Sequence, residues 1–273
     1  LVEVASSSRG GFARPPSASC RRSGAARAGL NFLAGFATIL AIWQFSIWLI
    51  APPHFILPAP AAVIEVFAQR SDFLLRHGLV TLAEIGLGLL FGSLAGILVA
   101  LSVASIPGVR QLVWPAVLVI QALPVFAVAP ILVLWFGFGM ASKVVMAALI
   151  IFFPVASAFA DGLRRTESDV LESAALLGAG RWQTLALIRI PLALPGLVSG
   201  LRVAAPLAPL GAVIGEWVGA SAGLGFIMLQ ANARMQTDIL FAVLVILAAL
   251  TLALRFAVDE LAAILVPWAR EAE

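Results

Sequence analysis

Thirty-two consecutive residues, from Gln111 to Ser142, contain no charged side chain, although prolines fall at 115, 124 and 130. A soluble domain would have to hide this run completely. A bilayer needs only about 20 apolar residues to be crossed by a helix. The rest of the chain makes the same demand: 62% of its 273 residues are hydrophobic, 11% are charged and mean hydropathy is +1.07. Soluble domains run nearer half apolar and a quarter charged, so this composition predicts an all-α polytopic membrane protein.

Several function classes drop out at this level. A net charge of +3 with scattered basic residues gives no footprint for nucleic acid. The one cysteine, Cys20, excludes an intrachain disulfide and a thiolate metal site. His54 and His77 are too few and too far apart for a metal cluster and read as interfacial polar residues. No Walker-type GxxxxGK[ST] loop is present, and no serine, histidine and carboxylate form a convincing catalytic set, so the chain reads as a non-enzyme.

The apolar runs predict six membrane helices, over residues 30–50, 77–104, 112–136, 144–160, 192–213 and 238–258. Residues 1–28, rich in Ser and Arg, read as a disordered tail ahead of a membrane domain over 29–273. A cleaved signal peptide is the weaker reading of that start, because further spans follow. Residues 60–76 suggest a short interfacial helix, and 214–237 a re-entrant or interfacial element with residues 259–273 as a closing tail. Gly88, Gly92 and Gly96 recur every fourth residue, a stripe at which another helix can approach closely. The prolines of the third span predict kinks or local unwinding, tolerated only against protein or a water-lined route. Placing both termini in the cytoplasm puts twelve basic residues inside against four outside, which favours that orientation.

Between the fourth and fifth spans lies a polar loop over residues 162–191, which includes ESDVLESAALLGAGRWQTLALIRIP. Val170, Ala174 and Leu177 would share one face of a short helix, with Asp169, Glu172 and Ser173 around the rest and Gly178 loosening its end. Taken alone, this is a surface helix joining two spans. Glu84, Gln121 and Glu216 are the polar residues set in apolar surroundings, and each either lines a solute route or makes hydrogen bonds between helices. Arg202 either snorkels or contacts a neighbouring helix.

The order Glu172, Ser173, Ala174, Gly178, Ile188, Ile190, Pro191 resembles the signature loop of the membrane subunits of bacterial ATP-binding-cassette importers. That motif reads Glu-Ala-Ala, three residues, Gly, nine residues, Ile, one residue, Leu-Pro; here Ser173 and Ile190 are small departures. The resemblance covers nearly everything after Leu30 and implies a type I importer permease fold in the bacterial inner membrane. It implies that Glu172, Ser173, Ala174 and Gly178 make the coupling contact with a separate ATPase subunit and that Pro191 fixes the entry to the fifth span. ATP and magnesium would then sit on that partner, with no cofactor in this chain. A periplasmic solute-binding protein and a second permease copy, most simply an identical one, complete the implied assembly.

Leu57, Pro58, Ala59 and Pro60 resemble the Leu-Pro-Ser-Pro of the sulfonate, taurine and nitrate permeases. Residues 121–126, 132–155 and 161–166, with GEWVGASAGLGFIML and ANARMQTD, are most similar to the branch that takes up thiamine pyrimidine precursors. The resemblance therefore implies uptake of hydroxymethylpyrimidine or formylaminopyrimidine, with a sulfonate, taurine or nitrate as the alternative solute. A secondary transporter and a membrane scaffold are the readings from other classes.

Overall fold

The computed structural model describes residues 18–268, all of whose regular structure is helical. Of these, the residues up to Pro53 form one compact unit and those from His54 a second.

The first unit is a single helix, α1 (Ala18–Ile50), 33 residues long. Its apolar portion, Ala34–Ile50, is a shorter apolar segment at the place of the expected first span. The expected tail over 1–28 is corrected in its second half: residues 1–17 lie outside the described residues, but 18–28 are helical. Ala25, Ala26, Arg27 and Ala28 are strong helix formers, and no proline separates them from the apolar segment.

In the second unit, α2 (Pro60–Gln69) begins with proline at its first turn, where the missing N–H costs nothing. It is followed at once by α3 (Ser71–Ser105), so the expected interfacial segment ends at Gln69 and the second span starts earlier than the hydropathy suggested. An exposed Asp72–Arg76 ion pair of 2.8 Å lies in the added turns.

The third span is a correction of substance. It consists of α4 (Val109–Ala122) and α5 (Val125–Phe136), which meet at an angle of 101°. Of the three prolines only Pro124 breaks the chain; Pro115 and Pro130 lie inside helices. Leu123 takes the extended conformation that a following proline favours, with φ −69° and ψ 131°. Ala129, by contrast, is buried beside Pro130 and stays helical, because α5 packs there on the next helix.

That helix, α6 (Met140–Arg164), is the axis of the unit. α3 lies on it along the glycine stripe: a methyl group at Gly88 would collide with the Ala147 side chain, and one at Gly92 would come within 2.7 Å of the Ala148 carbonyl. On another side of α6, Gly196 and Gly200 admit the carbonyls of Ala158 and Pro154, each 2.9 Å from where a Cβ would stand. Small residues thus let three backbones close up where the bilayer gives no hydrophobic drive for helices to associate.

After α7 (Ser168–Leu176) the chain enters one long apolar stretch, Arg181–Gly219. It is built from α8 (Arg181–Thr184), a π turn at Leu185–Arg189, α9 (Ile190–Ala204), a 3-10 turn at Ala205–Leu207 and α10 (Ala208–Gly219). The fifth span is therefore longer at both ends than residues 192–213. Ile214 to Gly219 belong to it, and the separate element that follows is only α11 (Leu224–Ala233), too short to cross. α12 (Thr237–Leu265) closes the fold and keeps Asp259 and Glu260 in helix, where a closing tail was expected. Arg202 of α9 reaches Asp259 at 2.8 Å, and Arg255 holds the other carboxylate oxygen at 3.0 Å. The contact with a neighbouring helix, not snorkelling, is what Arg202 makes.

α3, α6, the Arg181–Gly219 stretch and α12 are each long and apolar enough to cross a bilayer, and the bent pair α4–α5 makes a fifth span if it is counted as one broken crossing. These five, with the shorter apolar segment Ala34–Ile50 of α1, fall where the six spans were expected from the sequence. Leu90, Leu94 and Leu98 on α3 and Leu134 on α5 remain exposed, as lipid-facing residues would.

Candidate functional site

Two constructions stand out, one at each end of α6. At its Arg164 end is the polar loop. Glu167 precedes α7, and the helix is closed at the other end by a left-handed residue, Gly178, with φ +79°. The Ala179 N–H reaches the Ala174 carbonyl at 3.0 Å and the Gly178 N–H reaches that of Ala175 at 3.0 Å. This pair of bonds is the glycine-terminated Schellman closure. A side chain at 178 would meet nothing within 4 Å, so the glycine is required by its φ and not by space.

α7 presents Glu172 and Ser173 outward and buries Ala174. The Ser173 hydroxyl is turned back and donates to the Asp169 carbonyl at 2.8 Å, so it behaves as little more than an alanine-sized group on that surface. Leu176 and Leu177 at the tip are 89% and 88% exposed, a strong apolar signal on a polar loop. Arg181 ties the loop to the end of α3, its guanidinium donating to the Ser105 carbonyl at 3.1 Å. A cavity of about 580 Å³ lies against α7, bordered by Asp161, Arg165, Glu167, Val170 and Pro195. Pro191 stands in the first turn of α9. It follows the π turn within a continuous helix, where its missing N–H suits a ladder already widened.

At the other end of α6, side chains from α3, α6 and α10 form a buried polar cluster with the backbone at the start of α11. Glu84 and Glu216, 132 positions apart in the chain, come together with 2% and 1% exposure. The Thr81 hydroxyl donates to Glu216 at 2.6 Å and accepts the Leu224 N–H at 2.7 Å. Glu216 also accepts the N–H groups of Gly225 and Phe226, while His77 Nδ1 accepts that of Gly223 at 3.0 Å. Together these satisfy the first turn of α11, whose free donors are the usual debt of a helix start. Lys143 is fastened to the carbonyls of Phe138 and Gly139, in the turn between α5 and α6, and of Gly219, the last residue of α10. Within this cluster Glu84 Oε2 is buried without a hydrogen-bond partner, and Glu84 borders a cavity of about 190 Å³.

Of the three candidate route residues, then, Glu84 and Glu216 are joined in a hydrogen-bonded cluster. Gln121 is apart from them, exposed at the α4–α5 bend and lining an apolar cavity of about 620 Å³ with Val128, Trp135 and Leu149. Three members of the cluster, His77, Thr81 and Lys143, were not singled out as site residues. A signal for the first two existed: His77, Thr81 and Glu84 recur at spacings of four and three, the polar counterpart of an apolar helix face.

Comparison with known proteins decides the family. Residues 88–271 match the family described as binding-protein-dependent transport system inner membrane component. The chain belongs to this family. Among its relatives is a protein of Haemophilus influenzae named "Probable ABC transporter permease protein", 48% identical, the match covering 82% of this chain and 91% of that one. The formylaminopyrimidine transport permease protein ThiX of Halalkalibacterium halodurans is 35% identical over 86% of this chain and 94% of the relative. The riboflavin transport system permease protein RibX of Chloroflexus aurantiacus is 38% identical over 84% and 87%. In fold, the chain is similar to a chain from an inward-facing structure of the MetNI methionine ABC transporter, with TM-score 0.62 and 23% identity. The match covers 72% of this chain and 98% of that one. This binding-protein-dependent permease is accordingly a membrane-embedded transport component of the type I importer fold, and its family works with a solute-binding protein.

Proposed function

We propose that two copies of this permease enclose an alternating-access route, that α7 docks on a cytoplasmic ATPase subunit, and that a periplasmic binding protein delivers the solute at the opposite face. The observation that carries the reading is the construction of α7. It is a short helix with a rigid glycine closure, an outward carboxylate at Glu172 and a bare apolar tip at Leu176 and Leu177. A surface so built suits a groove with a basic rim and an apolar floor. Its anchorage to α3 through Arg181 suits rigid-body transmission of closure from one subunit to the other. ATP and magnesium belong to that partner in this reading, and both termini of the permease lie on its side of the membrane.

For the solute, we infer a thiamine pyrimidine precursor, formylaminopyrimidine or hydroxymethylpyrimidine. Support comes from ThiX, similar along most of both chains. Riboflavin is the second reading because RibX is similar to a like degree. A sulfonate, taurine or nitrate has less support, from a sulfonate and a taurine permease at 30% and 31% identity.

The test is ATPase activity of the reconstituted complex in lipid, with the binding protein loaded in turn with formylaminopyrimidine, hydroxymethylpyrimidine, riboflavin and taurine. Stimulation by a pyrimidine, lost in Glu172→Arg and lowered in Gly178→Ala, is the expected result. A left-handed alanine costs about 1 kcal/mol, enough to loosen the α7 closure without unfolding the membrane core. Stimulation by riboflavin or taurine alone would replace the solute and leave the coupling. A complex that hydrolyses no ATP would overturn the proposal.

A further inference from the structure

A second cavity, of about 320 Å³, lies on the side of α7 that faces α3. Its walls are Ala104 and Ser105 at the end of α3, Leu171 and Ala175 of α7, and Arg181, Trp182, Leu185 and Arg189 from α8 and the π turn. Two guanidiniums border this space and no carboxylate does. Arg181 uses one nitrogen on the Ser105 carbonyl. The Arg189 guanidinium makes no hydrogen bond or ion pair among the described residues, and its Nε is buried without a partner. A buried donor left unpaired is costly, and the guanidinium fork matches the paired oxygens of a phosphate group.

The setting says where such a group would come from. Arg189 lies in the first turns of an apolar helix that crosses the bilayer, while Trp182 beside it is 71% exposed and Leu187 74%. An exposed indole, an exposed leucine and two unneutralised arginines on one helix end mark the headgroup level, where basic pockets between helices hold anionic headgroups.

We propose that Arg181 and Arg189 bind the phosphate of an anionic phospholipid on the membrane face that carries α7, with the acyl chains leaving past Trp182 and Leu187. The bound lipid would brace the π turn against α7 and the end of α3. This inference needs only the membrane placement of the helix and is independent of the solute and of the ATPase contact.

The test is native mass spectrometry of the full chain released from detergent after titration with phosphatidylglycerol or phosphatidylcholine. Wild-type protein should retain one phosphatidylglycerol per chain in preference to phosphatidylcholine. Arg189→Gln and Arg181→Gln should each weaken that retention about fivefold, the contribution expected of one basic residue at a charged surface. Arg70→Gln, between α2 and α3, should leave it unchanged. Ala175→Leu, which fills the wall and keeps both charges, should also lose lipid, and it carries the test should the arginine variants fail to fold. Retention equal to wild type in Arg189→Gln, or in Ala175→Leu, overturns the proposal. Displacement of the lipid by millimolar inorganic phosphate would assign the site to free phosphate and overturn the lipid source. Unchanged lipid retention with loss of the ATPase subunit on gel filtration would give the arginines to that protein instead.

Discussion

Gly223 shows how much one missing methyl group can decide. Its φ of +116° is one that side chains rarely adopt, and a Cβ there would run into the Glu216 carboxyl. Gly223→Ala therefore meets both backbone strain and a collision with a group that holds the first turn of α11. Glu216→Gln keeps the shape but points an amide N–H at donors that need an acceptor, at a cost of about 1–3 kcal/mol. Thermal unfolding of the detergent-solubilised protein should fall in both variants, with Gly223→Ala the more damaged. Equal stability of Glu216→Gln and wild type would show that the cluster is not what fastens α11. The residues on the opposite loop were easier to read from the sequence, because a glycine six places after a glutamate can be seen in a string of letters. Gly223 looks like any other glycine until the carboxylate it accommodates is known.

At the scale of elements, the close approach of α3 to α6 is the joint on which the second unit rests. The fourfold glycine spacing implied such a joint, and the partner turned out to be α6, with Ala147, Ala148 and Val155 against the stripe. A leucine at Gly92 has backbone, not a yielding side chain, in front of it. Overpacking of this kind costs about 1–3 kcal/mol or more. Gly92→Leu should lower the unfolding temperature and yield of folded protein, whereas Gly86→Leu on the open side of the same helix should do neither. The α4–α5 break was only partly legible. Three prolines in one charge-free run all raise the chance of a kink, and their common chemistry does not rank them. Packing does: α5 lies on α6 through Ala129 and Leu132, and this burial holds the chain helical past Pro130 while Pro124 takes the turn.

For the whole molecule, the polar cluster and the polar loop belong to opposite ends of the same helices. From Thr81 to Ser105 is 24 residues of α3, roughly 36 Å of helix rise, about the thickness of a hydrocarbon core with its margins. The two sites are thus joined by rigid helices that also share the glycine joint, a suitable frame for moving one face when the other is engaged. The orientation read from basic residues makes a direct prediction. In a background where the lone Cys20 is replaced by Ser, Leu177→Cys should react with an impermeant thiol reagent only in inverted vesicles. Arg70→Cys should react only from the outside of intact cells. The reverse pattern would invert the topology and remove α7 from reach of a cytoplasmic ATPase.

By itself the sequence determined the membrane as solvent, the helical class, the approximate spans and the place of the loop. These follow from local quantities: runs of apolar residues, prolines at helix starts, and a glycine at a fixed distance from a carboxylate. Only the tertiary structure decided that Glu84 and Glu216 meet in one buried cluster, that Lys143 gathers three carbonyls, and that the third span turns at Pro124. The physical reason is the same in each case. A buried polar group is stable only with its partners in place, and those partners come from helices whose order along the chain says nothing of which of their faces will touch.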